Sequence, residues 1–351
     1  MQAYEIGDYA TSRQLRRVER PDPVAGPGEA LVHVRATGPN ARDFSIWTTG
    51  MWPGRGTPPS SFIPMCDFAG EVLAIGAGVT AVKPGDRVTM IHYSRWLDGP
   101  WDVSMRTEDY GCTRDGFLRE LAAVPAVSLV RVPETIPYED AATLPSAGLT
   151  AWQAVVVEGR LKPGDTMVTL GTGGVSLFAL QWARLLGARV IVTSSSDAKL
   201  ARMRELGADG TINYRTVPKW HEAVLEQTGG RGAQLVVNNV GLQELDACLE
   251  ACASGARIAH IGATAVSGDR IASGGVVPQR LGLLIIRDLT LKGIVVGSRR
   301  MMADAVAAMA QHRVRPVIDC VYPFERANEA VERFARGNKI GKVMIRVGAG
   351  D

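Results

Sequence analysis

Residues 166–200, TMVTLGTGGVSLFALQWARLLGARVIVTSSSDAKL, constrain the fold more tightly than any other part of the chain. TMVTL (166–170) is a short apolar-rich run, of the length a strand buried on both faces requires. GTGG follows, then VSLFALQWARLLGA, an apolar stretch long enough for a helix. RVIVT (189–193) is a second strand, and DAKLARMRELGAD is a second helix that stops at a glycine. AQLVVNNVG (233–241), GARIAHIG (255–262) and DLTLKGIVVGS (288–298) extend the series, with helical segments between most of them. Parallel strands cannot be joined by a tight turn, so each pair needs a crossover, which is usually a helix. Strand and helix alternating through short glycine-marked joints therefore predict an α/β chain with a doubly wound parallel sheet.

The first 130 residues read differently. EALVHVRA (29–36) sets Ala30, Val32, Val34 and Ala36 on one side of an extended chain. Leu31, His33 and Arg35 fall on the other side, which makes His33 a surface residue of a half-buried strand. FAGEVLAIGAGV, KPGDRVTMI and GFLRELAAVPAVSLVRVP continue the pattern, each entered or left through a turn. Short strands so punctuated predict a partly closed antiparallel barrel. Beyond a helix at ADAVAAMAQHRV, the strand-like RPVIDCVYPF and GKVMIRV are assigned back to this β-rich body. A length of 351 residues accommodates two domains of ordinary size. The expected division gives 1–142 and 301–351 to the β-rich body and 143–300 to the doubly wound one. KPGD at 83–86 and 162–165 is a turn into a strand both times, not an internal repeat.

The charge balance, 39 basic against 36 acidic residues, gives a net +3 with no long basic block, so nucleic acid is not expected as the main partner. No run of 18 apolar residues marks a membrane span, and the opening MQAYEIGDYATSRQLRRVERP lacks a secretory leader's apolar segment. The five cysteines, Cys66, Cys112, Cys248, Cys252 and Cys320, are odd in number and scattered, which suits reduced thiols in a cytoplasm. Cys248 and Cys252 share a helical face with Leu242, Leu245 and Leu249, a pattern of core packing rather than metal binding.

The loop GTGGVS (171–176) joins a predicted strand to a predicted helix. Gly171 suits the tight turn, and Gly173 lets backbone approach a pyrophosphate. Thr172, Gly174 and Val175 supply further amides at the positive end of the helix. Ser176 stands where the G-x-G-x-x-G/A pattern has its third small residue. At the end of the next strand an NAD-preferring fold places Asp or Glu against the ribose 2′-hydroxyl. Here Thr193, Ser194 and Ser195 stand instead, with Lys199 close by, so a 2′-phosphate meets donors and a positive charge. NADP(H) is accordingly expected in preference to NAD(H). Two alternatives remain open at this point. Ser194 or Ser196 caps the following helix, Ser194-x-x-Asp197 fitting a capping box, or Asp197 itself serves as the ribose ligand.

Four stretches together resemble the medium-chain dehydrogenase/reductase superfamily over essentially the whole chain: VRATGPNARDFSIWTTG, PMCDFAGEVLAIGAGVTAVKPGDRV, AATLPSAGLTAWQAV and LKPGDTMVTLGTGGVSLFALQWARLLGARVIVTSSSDAKL. They are similar to its zinc-independent, quinone-oxidoreductase-like branch, while much of the chain, GTGGVSLFALQ especially, most resembles sequences called alcohol dehydrogenase. The resemblance implies a Rossmann doubly wound parallel sheet inserted in a GroES-like β-rich catalytic domain. Where zinc alcohol dehydrogenases hold their catalytic metal with Cys, His and Cys, this chain has Asn40, Cys66 and Ser146. One thiol with an amide and a hydroxyl is not a tetrahedral zinc set, so no metal is expected. Without zinc, hydrogen-bond donors must stabilise the developing negative charge. A conjugated acceptor spreads that charge, which points to an NADPH-dependent reductase of quinones or α,β-unsaturated carbonyl compounds. The alternatives are a zinc-free alcohol dehydrogenase or ketone reductase and, in another class, a non-catalytic nucleotide- or RNA-binding protein on the same fold.

The same resemblance places Asn40 near the nicotinamide and the substrate oxygen, and Thr150 at the cofactor. Asp43 completes an N-x-x-D element, as catalytic group or as one half of a loop-turn pair with Asn40; Ser45 stands where the branch often has Tyr. Tyr214 matches a position beside the 2′-phosphate, and Asn239, Gly262, Gly297 and Ser298 match strand ends along the cofactor. The irregular, aromatic-rich segment 91–116 reads as a binding loop. Trp47, Tyr93 and Trp96 are the candidate substrate contacts, with Trp52 and Trp101 beside them. His92 is either a proton donor or a surface group. A homodimer joined edge to edge through the DLTLKGIVVGS strand is expected, as is common in the family.

Overall fold

Apolar alternation and apolar runs become strands almost where the sequence predicts them, in a computed structural model that describes residues 1–49, 59–262 and 278–348. In the first part of the chain these are β1 (Gln2–Glu5), β2 (Arg16–Glu19), β3 (Glu29–Thr37), β4 (Ala69–Ile75), β5 (Arg87–Met90), β6 (Leu121–Pro125) and β7 (Leu129–Arg131). The middle part adds β8 (Thr166–Leu170), β9 (Arg189–Ser194), β10 (Gly210–Asn213), β11 (Ala233–Asn238), β12 (Cys252–His260) and β13 (Thr290–Gly293). The last part supplies β14 (Ile318–Pro323) and β15 (Lys342–Arg346). Two compact units result, Met1–Leu149 with Gly297–Asp351, and Thr150–Val296, dividing at 149/150 and 296/297 where the sequence suggested 142/143 and 300/301.

The first unit is built on a seven-stranded sheet in the order β14-β15-β3-β4-β5-β7, with β6 pairing the other side of β3. All its pairs are antiparallel except β14 with β15. Ala30, Val32, Val34 and Ala36 of β3 are fully buried, as their period-two spacing requires, and His33 is half-buried on the opposite face. The core joins Ala30, Val32 and Val34 to Phe68, Val88, Phe117, Val343 and Ile345. The antiparallel β1–β2 pair has no counterpart in the hydropathy pattern, because β2 is arginine-rich and mostly exposed.

The second unit holds a six-stranded sheet, β10-β9-β8-β11-β12-β13, parallel throughout. Numbered within the unit, that order is 3-2-1-4-5-6, the arrangement of a Rossmann dinucleotide-binding fold. All five residues of β8 are buried, which is why TMVTL reads as a run and not as an alternation. The helix Gly174–Leu185 packs over it through a broad apolar face that includes Leu177, Phe178, Leu180 and Trp182. Cys248 and Cys252 lie in this unit's core as expected, the Cys252 thiol donating to the Cys248 carbonyl at 3.1 Å. None of the five cysteines is in a disulfide. Among the described residues no helix is long and apolar enough to cross a membrane.

The Trp182 ring meets Trp152 edge-on at 5.2 Å and stacks on Phe178 at 5.8 Å, with no solvent exposure. Truncating it leaves a large apolar void beneath the sheet. Trp182→Ala should lower stability by about 3–5 kcal/mol, read as a shift in the urea midpoint of the intrinsic tryptophan fluorescence transition.

Candidate active site

The dinucleotide loop follows from the chain's local requirements. β8 ends at Leu170, and Gly171 turns the backbone with φ of 86°, a conformation L side chains rarely adopt. Gly173 is the extended N-cap of the twelve-residue helix Gly174–Leu185, and a Cβ built on it would meet nothing within 4 Å. Backbone is therefore open to a ligand at the point where the first-turn amides of Gly174 and Val175 have no carbonyl partner a turn earlier. The side chain of Thr172 is tucked in beside them.

Ser176, the departure from the glycine pattern, has a structural reason. Its hydroxyl donates to the Leu170 carbonyl at 3.0 Å and accepts from Asn239 Nδ2 at 2.9 Å. The serine thus ties the end of β8 to the residue that follows β11. The other end of that amide, Asn239 Oδ1, is buried without a protein partner and so offers an acceptor to a bound ligand. At Gly262 an added Cβ would lie 2.5 Å from the Val240 carbonyl carbon and 2.6 Å from that of Asn239, so only glycine lets the chain after β12 pass there.

At the end of β9 the helix cap is Ser196, whose Oγ accepts from the Lys199 amide at 3.4 Å, so the Ser194–Asp197 capping box does not form. Asp197 is engaged locally, its Oδ1 accepting from Asn213 Nδ2 at 2.9 Å. Ser194 is buried and Ser195 half-buried, and the Ser194 carbonyl accepts from the Tyr214 amide at 3.1 Å, bringing the part-exposed Tyr214 alongside. The structure thus gathers Ser194, Ser195 and Tyr214 at one strand end. A pyrophosphate and adenosine fit these features.

In the first unit Asn40 ends the segment after β3 and precedes the helix Ala41–Thr49. Its amide donates to Asp43 Oδ2 at 2.7 Å, and the Asp43 amide donates back to the Asn40 carbonyl at 3.1 Å. This reciprocal bonding is the loop-turn pair. Asp43 Oδ1 is buried with no partner, and burial pushes the carboxyl up to about 7 despite the opposing Arg42. Lys342, the first residue of β15, reaches the same place because β15 pairs with β3; at Gly38 an added Cβ would lie 2.6 Å from the Val343 carbonyl oxygen. Its ammonium donates to Asp67 Oδ2 at 2.6 Å, Asn40 Oδ1 at 2.7 Å and the Pro39 carbonyl at 3.1 Å. The other Asp67 oxygen, Oδ1, accepts from the Ser146 amide at 3.2 Å, and Asn40 Nδ2 lies 3.8 Å from Cys66 Sγ. Asn40, Cys66, Asp67, Ser146 and Lys342 therefore form one cluster, with a π-helical turn, Leu144–Gly148, carrying Ser146.

Sequence reasoning did not find Lys342 or Asp67. The available signal was a charged residue at the head of an otherwise buried strand, KVMIR, and a carboxylate directly after Cys66. The remaining candidates lie as follows. Thr150 is buried at the start of the second unit. An added Cβ at Gly297 would meet the Leu149 side chain at 2.7 Å, and Ser298 caps the helix Arg299–Gln311 by accepting from the Met301 amide at 3.3 Å.

Trp47 is a core residue, 2 % exposed, packed edge-on to Tyr9 at 5.1 Å and tilted against Phe44. Tyr93 and Trp96 are also buried; each tilts against Trp101, at 4.7 and 5.0 Å, and Trp96 Nε1 donates to the Gly99 carbonyl at 2.9 Å. These rings consolidate the 91–116 segment itself. Trp52 lies outside the described residues. His92 is not a surface group: at 1 % exposure it sits 2.9 Å from Asp109 Oδ1, beside Arg42, which clamps both Asp109 oxygens at 2.9 Å. Burial, reinforced by Arg42, lowers the imidazole below its usual value, so His92 is neutral near pH 7.

A glycine loop of this geometry on a 3-2-1-4-5-6 parallel sheet defines a dinucleotide-binding protein. The family model described as alcohol dehydrogenase GroES-like domain matches residues 26–134, and that described as zinc-binding dehydrogenase matches 174–311. A zinc-type alcohol dehydrogenase-like protein of Schizosaccharomyces pombe is 38% identical over 92% of this chain and 91% of its own length. An acryloyl-coenzyme A reductase of Metallosphaera sedula is 28% identical over 98% and 99%. Among solved structures, a Sinorhizobium meliloti 1021 protein provisionally assigned as an alcohol dehydrogenase superposes with a TM-score of 0.89 at 39% identity, covering 98% of both chains. A mycobacterial quinone oxidoreductase superposes with a TM-score of 0.77 at 27% identity, covering 99% of both. The chain belongs to the medium-chain dehydrogenase/reductase superfamily and is an NAD(P)-dependent oxidoreductase.

The zinc named for part of this family does not fit the residues present. Asn40 Oδ1 is already bonded to an ammonium, and one thiol with an amide and a hydroxyl is not a tetrahedral zinc set. The Lys342 charge would also oppose a dication in the same cluster. The Asp43 carboxyl has a measurable signature. An unfolded Asp ionises near 3.8 and the folded one at about 7, so folded Asp43 holds its proton while the unfolded chain has released it. The stability due to this group is therefore complete below about pH 4 and is lost as pH rises to about 7, by roughly 4 kcal/mol. Asp43→Asn should flatten that fall, seen as a pH-dependent difference in urea midpoint between variant and wild type.

Proposed function

We propose that the enzyme transfers hydride from NADPH to a quinone or an α,β-unsaturated carbonyl compound without using zinc. The observation that carries this reading is the cluster at Asn40. The amide of Asn40, the thiol of Cys66 and the hydroxyl of Ser146 stand at the positions that the resemblance gives to the metal ligands of zinc alcohol dehydrogenases, and a lysine ammonium is bonded to the first of them. An isolated carbonyl reduced without a Lewis acid concentrates charge on one oxygen, whereas a conjugated acceptor distributes it and needs only hydrogen-bond donors. The similarity to a quinone oxidoreductase and to an acryloyl-coenzyme A reductase supports this substrate class. The bound cofactor supplies the hydride. Gly171–Val175 are proposed to hold its pyrophosphate, with Asn239, Gly262 and Thr150 beside it, and Gly297 and Ser298 belong to the same proposed set. Asn40 Nδ2 donates to the substrate oxygen, with Asp43 fixing the Asn40 backbone.

The preference for NADP(H) follows from the end of β9. The nearby carboxylate, Asp197, is bonded to Asn213, while Ser194, Ser195 and Tyr214 gather at the strand end and Lys199 lies in the next turn. A zinc-free alcohol dehydrogenase or ketone reductase is the second reading, favoured by the similarity to the Schizosaccharomyces pombe protein. We further propose a cytoplasmic homodimer. Five cysteines without a disulfide suit a reducing compartment, and β13 is an edge strand with Leu291 exposed, while the preceding Ile285 and Ile286 are 87 % and 79 % exposed.

NADPH oxidation should be seen with menadione and with 2-cyclohexenone, should be weak with a simple aldehyde, and should survive dialysis against EDTA. Alcohol-dependent NADP⁺ reduction without enone turnover would favour the second reading instead. Ser195→Asp with Lys199→Ala should raise the KM for NADPH by roughly tenfold or more and spare NADH, since a carboxylate then faces the 2′-phosphate. An unchanged preference would remove these residues from the phosphate site.

A further inference from the structure

We propose that Lys342 is a positioning residue for the reaction: its buried ammonium locks the Asn40 carboxamide in one orientation and polarises it toward the substrate oxygen. The inference rests on the reading that Asn40 donates to that oxygen.

An ammonium has three hydrogens, and Lys342 spends them on Asp67 Oδ2, Asn40 Oδ1 and the Pro39 carbonyl. It has none left for a substrate, so any influence on the reaction passes through a neighbour. The neighbour with unspent capacity is Asn40. An ammonium tolerates only the carbonyl end of an amide, which decides the orientation that an amide's shape alone leaves ambiguous. Nδ2 must then point away from Lys342. Its own contacts are long, 3.5 Å to the Gly38 carbonyl and 3.8 Å to Cys66 Sγ, so its hydrogens are only weakly committed. Asn40 keeps 7 % of its surface exposed, whereas Lys342 and Asp67 are more deeply buried. A positive charge on the carbonyl oxygen also draws electron density from the amide nitrogen and strengthens the bond its hydrogens donate. The arrangement is a relay of charge through a fixed amide, aimed at an oxygen that becomes more negative during hydride transfer.

Asp67 neutralises the lysine and is itself held by the Ser146 amide, so the cation has an anchor besides Asn40. An ion pair serving stability alone could be exchanged for apolar side chains at little cost. Positioning predicts otherwise, that such an exchange keeps the fold and loses turnover.

The test is a double-mutant cycle on the full chain, with menadione as acceptor and NADPH affinity followed by fluorescence. Lys342→Met should lower kcat roughly 10–100-fold while the NADPH dissociation constant stays within about twofold. Asn40→Ala should lose as much, and Lys342→Met with Asn40→Ala should lose no more than Asn40→Ala alone. Because Lys342→Met leaves a buried carboxylate unpaired, Lys342→Met with Asp67→Asn provides a charge-balanced fold and should show the same loss. Near-wild-type kcat in that balanced variant, or losses that multiply in the cycle, would overturn the proposal. Should Asn40→Ala alone turn over at the wild-type rate, the donor role of Asn40 falls, and the proposal with it.

Discussion

The buried pair between Lys342 and Asp67 is the contact on which the geometry of the first unit's candidate site depends. Burying a charge is costly unless every hydrogen and lone pair finds a partner, and here the lysine is saturated and both carboxylate oxygens are bonded. The pair closes β15 onto the segments that follow β3 and precede β4, and in doing so gathers Asn40, Cys66 and Ser146 together. In the zinc-free reading proposed above, a cation of single charge, held by a carbon chain, stands in the cluster in place of a metal. Asp43 extends the same logic: one of its oxygens holds the Asn40 backbone, while the other has no partner and the carboxyl gives up its charge near neutral pH instead.

The second unit works through its backbone. Gly171 and Gly173 give a turn and an open approach, and the helix that follows presents amides and a positive end. Side chains only trim this device. Ser176 replaces a small residue and uses its hydroxyl to join two strand ends, and Ser196 takes up the capping duty that would otherwise compete for Ser194. Each unit thus satisfies most of its polar groups locally, while Asn239 Oδ1 has no protein partner and Asn40 Nδ2 makes only long contacts, the two atoms proposed above to meet a ligand.

Much of this architecture is legible in the chain. β8 falls at 166–170 as TMVTL predicts, and β9 and β3 each extend one residue beyond the segments read as strands. These elements are encoded by neighbours in sequence, through period and punctuation. What escaped the reading is non-local. β10 is four residues with one deeply buried side chain, Ile212, and carries no period of its own. His92 lies in an irregular loop, and only the fold brings Arg42 to cover it, from 50 residues away. Aromatic residues in a loop suggested a pocket, yet Tyr93 and Trp96 close on Trp101, because burying ring area is what gives an irregular segment a fixed shape. Lys342 was hardest to see, since a lysine at the head of a strand is ordinarily a solvent contact.

The separation between partners has a consequence for folding. Lys342 meets Asp67 and Asn40 across 275 and 302 residues, so closing this cluster means ordering a very long loop of chain, an entropic cost that local structure cannot offset. A chain whose β15 has not yet docked on β3 leaves Asp67 and Asn40 without the ammonium, whatever the state of the parallel sheet. On the proposed reading, competence for turnover is therefore acquired late.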